Sequence, residues 1–61
     1  MNYTICMESP IYNLKEYIVD ETNSLDYALE VYARVEAVCN LVSKSCWLRD
    51  NNTGKDIKFN Y

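Results

Sequence analysis

The stretch from Asn23 to Val42, NSLDYALEVYARVEAVCNLV, constrains this chain more than any other. Stepping about 100° per residue around a helix gathers Leu25, Ala28, Leu29, Val31, Tyr32, Val35, Val38, Cys39 and Val42 into one arc of roughly half the circumference. Asp26, Glu30, Ala33, Arg34, Ala37 and Asn40 fall opposite. The spacing predicts an amphipathic helix over residues 24–42 whose apolar side is wide enough to cover a sheet. Asn23 or Ser24 supplies an N-cap oxygen. Asp26 complements the positive end of the helix dipole. Glu30 and Arg34 stand four apart with the acid first, the better orientation. No glycine marks the end, so termination near Val42 or Ser43 has no sequence signature.

The flanking segments read as strands. Residues 2–8 alternate, with Tyr3, Ile5 and Met7 on one side and Thr4, Cys6 and Glu8 on the other. Ser9-Pro10 breaks this pattern. Two continuations compete: a short helix with Pro10 in its first turn and Ile11, Leu14 and Ile18 on one side, or a loop followed by a strand over residues 14–20. The aromatic and β-branched run Tyr17-Ile18-Val19 favours the strand. Residues 45–50 and 55–61 flank Asp50-Asn51-Asn52-Thr53-Gly54, a loop with Asp and Asn to start a turn and a glycine to close it. Placing Asp50 opposite Lys55 sets Leu48 against Ile57 and Cys46 against Phe59 on the core side, with Tyr61. It sets Trp47 against Lys58 and Arg49 against Asp56 on the other. The expected fold is α+β: a ββαββ chain with a small antiparallel four-stranded sheet and one amphipathic helix packed on one side. The other side of the sheet is left to water or a partner.

At 61 residues the chain is a single domain. Folding at this size buries only about 60% of the unfolded surface. The net charge is −3 and unevenly spread. Residues 1–36 hold seven acids against Lys15 and Arg34, whereas residues 37–61 hold Lys44, Arg49, Lys55 and Lys58 against Asp50 and Asp56. A general nucleic-acid binder carries a basic surplus, so the balance speaks against that class. Three cysteines without a CxxC spacing, and no histidine, speak against a disulfide framework or a zinc site. No signal-like leader and no apolar run of about 18 residues is present. The expectation is a cytoplasmic protein with reduced thiols, no membrane span and no cofactor.

Catalysis finds little footing. The chain has no histidine and one glycine, so it lacks a phosphate-cradling loop and a nucleophile elbow. Asp20, Glu21 and Asp26 cluster near the helix start, but without the ligand spacing of a calcium loop they read as solvated caps. Cys39 and Cys46 read as small buried hydrophobes, and Cys6 as the thiol most exposed to solvent. Trp47 is the leading candidate for partner contact, since a tryptophan held rigidly on a sheet suits an interface hot spot; its structural alternative is packing on strand neighbours. Arg49 and Lys58 would surround it. Tyr12 in the first loop and Tyr27 on the polar side of the helix complete the candidate set, although single exposed aromatics are ordinary.

The leading expectation is a small non-enzymatic binding protein that masks or inhibits a larger protein, in the manner of phage-type inhibitors of host defence or antitoxins. Addition of an edge strand to a partner's sheet is one mode for this. The alternatives are a homo-oligomer, at minimum a homodimer, that sequesters a nucleotide-like ligand, and nucleic-acid binding through the basic C-terminal hairpin. No motif identifies a family.

Overall fold

The computed structural model describes residues 1–9 and 16–60. Its elements are β1 (Tyr3–Glu8), β2 (Glu16–Thr22), α1 (Leu25–Val42), β3 (Cys46–Asp50) and β4 (Lys55–Asn60). The strands form one sheet in the order β2-β1-β3-β4, antiparallel throughout. With one helix on one side, this is the α+β architecture that the sequence predicts. Residues 16–19 are extended and belong to β2. The short-helix alternative over residues 10–19 is thereby overturned at residues 16–19, while residues 10–15, with Tyr12 and the first two residues of the predicted strand 14–20, and Tyr61 lie outside the described residues.

Local chemistry explains where α1 begins and ends. Ser24 adopts an extended conformation, and its Oγ accepts the Tyr27 N–H at 3.3 Å. Asn23 instead accepts the Asn2 N–H through Oδ1 at 2.8 Å, tying the helix entrance to the N-terminus. At the other end Ser43 takes the left-handed conformation, φ 56°, that a glycine usually fills. The Ser43 and Lys44 N–H groups both donate to the Cys39 carbonyl.

The core joins Ile5, Cys46 and Leu48 of the sheet to Ala28, Tyr32 and Cys39 of α1. Tyr3, Met7, Leu29, Val31 and Val35 pack around it. The helix lies over β1, β3 and β2. Ala28 and Cys39, near opposite ends of α1, are fully buried against the sheet, with Tyr32 between them. The buried strip is therefore narrower than the apolar arc: Leu25, Val38 and Val42 stay exposed, and Leu41, on the other side, is 86% exposed. A cylinder resting on a nearly flat sheet buries only the residues that point straight down.

The β3–β4 hairpin departs from the expected register. The turn is as anticipated: Gly54 has φ 73°, and its N–H donates to the Asp50 carbonyl at 2.8 Å. Asp50 pairs with Lys55 and Arg49 with Asp56. A bulge then leaves Ile57 without a partner, so Leu48 pairs with Lys58, Trp47 with Phe59 and Cys46 with Asn60. The predicted pairs Leu48–Ile57, Cys46–Phe59 and Trp47–Lys58 do not form. Ile57 (45% exposed) and Phe59 (60% exposed) are not core residues. Register is strongly specified only where one side of a strand is buried. With α1 lying over the other three strands, nothing holds the apolar alternation of β4 to the core side. The helix reaches β4 through a hydrogen bond between Asn60 and Asn40.

A second bulge lies in β2, where Ile5 pairs with Asp20 and Cys6 with Ile18, leaving Val19 between them. Both edge strands are thus interrupted, which twists an edge and weakens it as a template for an added strand.

Truncation of Leu48 to alanine is expected to lower the unfolding free energy by about 2–5 kcal/mol, against less than about 0.5 kcal/mol for Leu41→Ala. Urea unfolding followed by circular dichroism measures both. In the same assay Ser43→Gly is expected to raise stability by about 1 kcal/mol by removing the left-handed strain.

Candidate functional site

The sheet side away from α1 carries an apolar row in register across the strands. Ile18 of β2 pairs with Cys6 of β1, Cys6 with Trp47 of β3, and Trp47 with Phe59 of β4. The row crosses all four strands. Its outer members are exposed, Ile18 at 52% and Phe59 at 60%, Trp47 is half-buried, and Cys6 is fully buried. Polar rows run on both sides. One is Glu21–Thr4–Arg49–Asp56. The other contains the pair Glu8 and Glu16.

Arg49 links the two polar rows across the apolar one. Its guanidinium contacts the Glu16 carboxylate at 2.9 Å and Asp56 at 3.7 Å. Glu8 accepts the Ser45 N–H through Oε1 at 3.4 Å, while Lys44 Nζ lies 3.9 Å from its Oε2. Thr4 Oγ1 accepts from Asn51 Nδ2 at 2.7 Å, and Asn51 also bonds the Met1 and Asn2 carbonyls, so the β3–β4 loop is fastened to the N-terminus.

Cys6 is a correction to the expected exposed thiol. It faces away from the helix, as its alternation predicts, but β1 lies inside the sheet between β2 and β3, and Cys6 has no solvent exposure. Burial pushes its thiol up to about 12, and the charge and hydrogen bond of Glu16 add to the shift. Cys39 and Cys46 are in the core, with Cys46 Sγ donating to the Tyr32 hydroxyl at 3.8 Å. All three thiols are free and buried. The Tyr32 hydroxyl in turn donates to Glu36 at 3.0 Å.

The structure brings Trp47 and Arg49 together and separates Lys58 and Tyr27 from them. Trp47 and Arg49 occupy neighbouring positions on the open side of β3. Lys58 sits across from Leu48, in the row Asp20–Ile5–Leu48–Lys58, and not beside Trp47. Tyr27 is on the helix, its hydroxyl donating to Asp20 Oδ2 at 2.8 Å; that bond and the carboxylate's charge raise its pKa. Tyr12 lies outside the described residues. Sequence reasoning missed Ile18 and Phe59, because their positions depend on the two bulges. The one available signal was the exposed apolar pattern of the edge segments.

A concavity lies between α1 and strands β1 and β2, lined by Met7, Tyr17, Val19, Arg34, Val35, Val38 and Cys39, with a volume of about 250 Å³. It is smaller than the roughly 300–1,000 Å³ usual for ligand pockets. Among the described residues no group of three or more His, Cys, Asp or Glu side chains is arranged to hold a metal ion, and no helix is long and apolar enough to cross a membrane. Comparisons with protein-family models, curated proteins and solved structures return no match to this chain.

Two measurements check the buried thiols. A thiol reagent at neutral pH is expected to modify no cysteine of the native protein and all three after denaturation. Between 9.0, the ordinary value, and about 12 the folded state keeps the Cys6 proton that the unfolded state releases. Stability therefore falls as pH rises through this window, and Cys6→Ala is expected to flatten the fall in urea unfolding.

Proposed function

We propose that the chain is a non-enzymatic binding protein that docks on a larger protein through the sheet side opposite α1 and thereby masks or inhibits it. The carrying observation is the row Ile18–Cys6–Trp47–Phe59: exposed apolar groups at both ends, an anchored tryptophan between them, and charged rows on either side. An apolar centre with a polar rim is the usual anatomy of an interface, and tryptophan is enriched among its hot spots. A standard interface takes about 800 Å² from each partner, roughly a fifth of the 4262 Å² that this chain exposes. The bulges in β2 and β4 favour docking by this surface over strand addition at an edge.

Sequestration of a nucleotide by a homo-oligomer has less support. Arg49, the cation nearest Trp47 in register, already contacts two carboxylates, and Lys58 belongs to another row. Nucleic-acid binding through the C-terminal hairpin meets the same objection. Surface occupation, as by an inhibitor or antitoxin, is the mode proposed here.

The test is affinity capture with quantitative mass spectrometry from candidate host cells. The wild-type chain is expected to retain a stoichiometric protein that Phe59→Ala and Ile18→Ala lose and Leu41→Ala keeps. Retention of the same protein by all variants would place the interface elsewhere.

A further inference from the structure

Building on the docking reading above, we infer that this surface selects a protein partner whose complementary patch is apolar at its centre and ringed by lysine and arginine. Among the described residues, the rows beside Trp47 contribute four carboxylates: Glu8, Glu16, Glu21 and Asp56. Arg49 is the cation within these rows, and Lys44 approaches from the segment after α1. The frame is therefore net acidic. Arg49, 2.9 Å from Glu16 and 3.7 Å from Asp56, and Lys44, 3.9 Å from Glu8, offset two of the four charges and leave the frame at −2, with Glu21 the carboxylate of these rows that is in no ion pair with a described residue. Lys58 does not join Trp47 and Arg49 as the sequence suggests, since the β4 bulge pairs it with Leu48.

Three occupants are distinguished by charge. A nucleic acid or nucleotide brings phosphates against carboxylates. A second copy brings the same acidic frame, and like charges facing each other across an interface are costly. A basic protein surface places its cations against Glu8 and Glu21 while its apolar centre covers Ile18 and Phe59. Such rim charges act mainly on association rate and partner choice, and salt weakens them.

The test uses a display library of a small helical scaffold with one side randomised, selected against the immobilised full chain. Clones that lose binding to Phe59→Ala report on this surface. They are expected to be enriched in Lys and Arg over Asp and Glu, and to bind Glu21→Lys about two- to five-fold more weakly, chiefly through slower association. Glu30→Lys, an equal change of charge on α1, is expected to have a smaller effect. Circular dichroism of each variant confirms that it is folded. Phe59-dependent clones without basic enrichment, or clones indifferent to Glu21→Lys, would overturn the inference while leaving the docking surface standing. A library that yields no Phe59-dependent clone would overturn the docking surface, and this inference with it. Phe59-dependent binding of a single-stranded DNA homopolymer, or a dimer in light scattering that Phe59→Ala dissolves, would also overturn it.

Discussion

One helix rests on a four-stranded sheet, and the organisation of this molecule depends on which strands it covers. Ile5 and Leu48 lie on adjacent central strands and meet Ala28, Tyr32 and Cys39 from above. Burial of such side chains is worth roughly 1.5–3 kcal/mol each, and a chain of this size has few of them. The two central strands, β1 and β3, keep strict alternation between core and exterior, whereas the edge strand β2 takes a bulge at Val19 although α1 lies over it. β4, with its main link to the helix at Asn60–Asn40, is released from that requirement and takes a bulge.

The same constraint creates the candidate surface. A single helix leaves one side of the sheet uncovered, and β1, being central, buries Cys6 there under its strand neighbours. The β4 bulge turns Phe59 toward that side, beside Trp47, and the β2 bulge does the same for Ile18. Two local irregularities at opposite edges thus extend a short apolar strip across the whole sheet. Arg49 bridges the rows above and below through Glu16 and Asp56, fixing the strip's borders and neutralising the cation nearest Trp47.

Much of the fold was legible residue by residue. The arc from Leu25 to Val42, the Ser24 cap, the alternation of Tyr3, Ile5 and Met7, and the Asp50–Gly54 turn all act over a few positions, where local sterics and hydrogen bonding decide the outcome. The site was less legible. Trp47 and Arg49 emerged because strand alternation places both on the side away from Leu48. Ile57 and Phe59 were assigned to the core because they alternate like buried residues. Cys6 was taken as exposed because its immediate neighbours do not reveal that β1 has a strand on each side.

Sequence alone determined the number and type of elements, the antiparallel hairpin, the absence of histidine chemistry and the uneven charge. These follow from composition, from periodicity and from turn chemistry, all short-range. Tertiary structure decided the strand order β2-β1-β3-β4, the two bulges, the burial of Cys6 and the separation of Lys58 from Trp47. The β4 bulge and the place of Lys58 depend on where the helix settles on the sheet, because a strand with no buried side is free to slip by one residue, and the burial of Cys6 follows from the central place of β1.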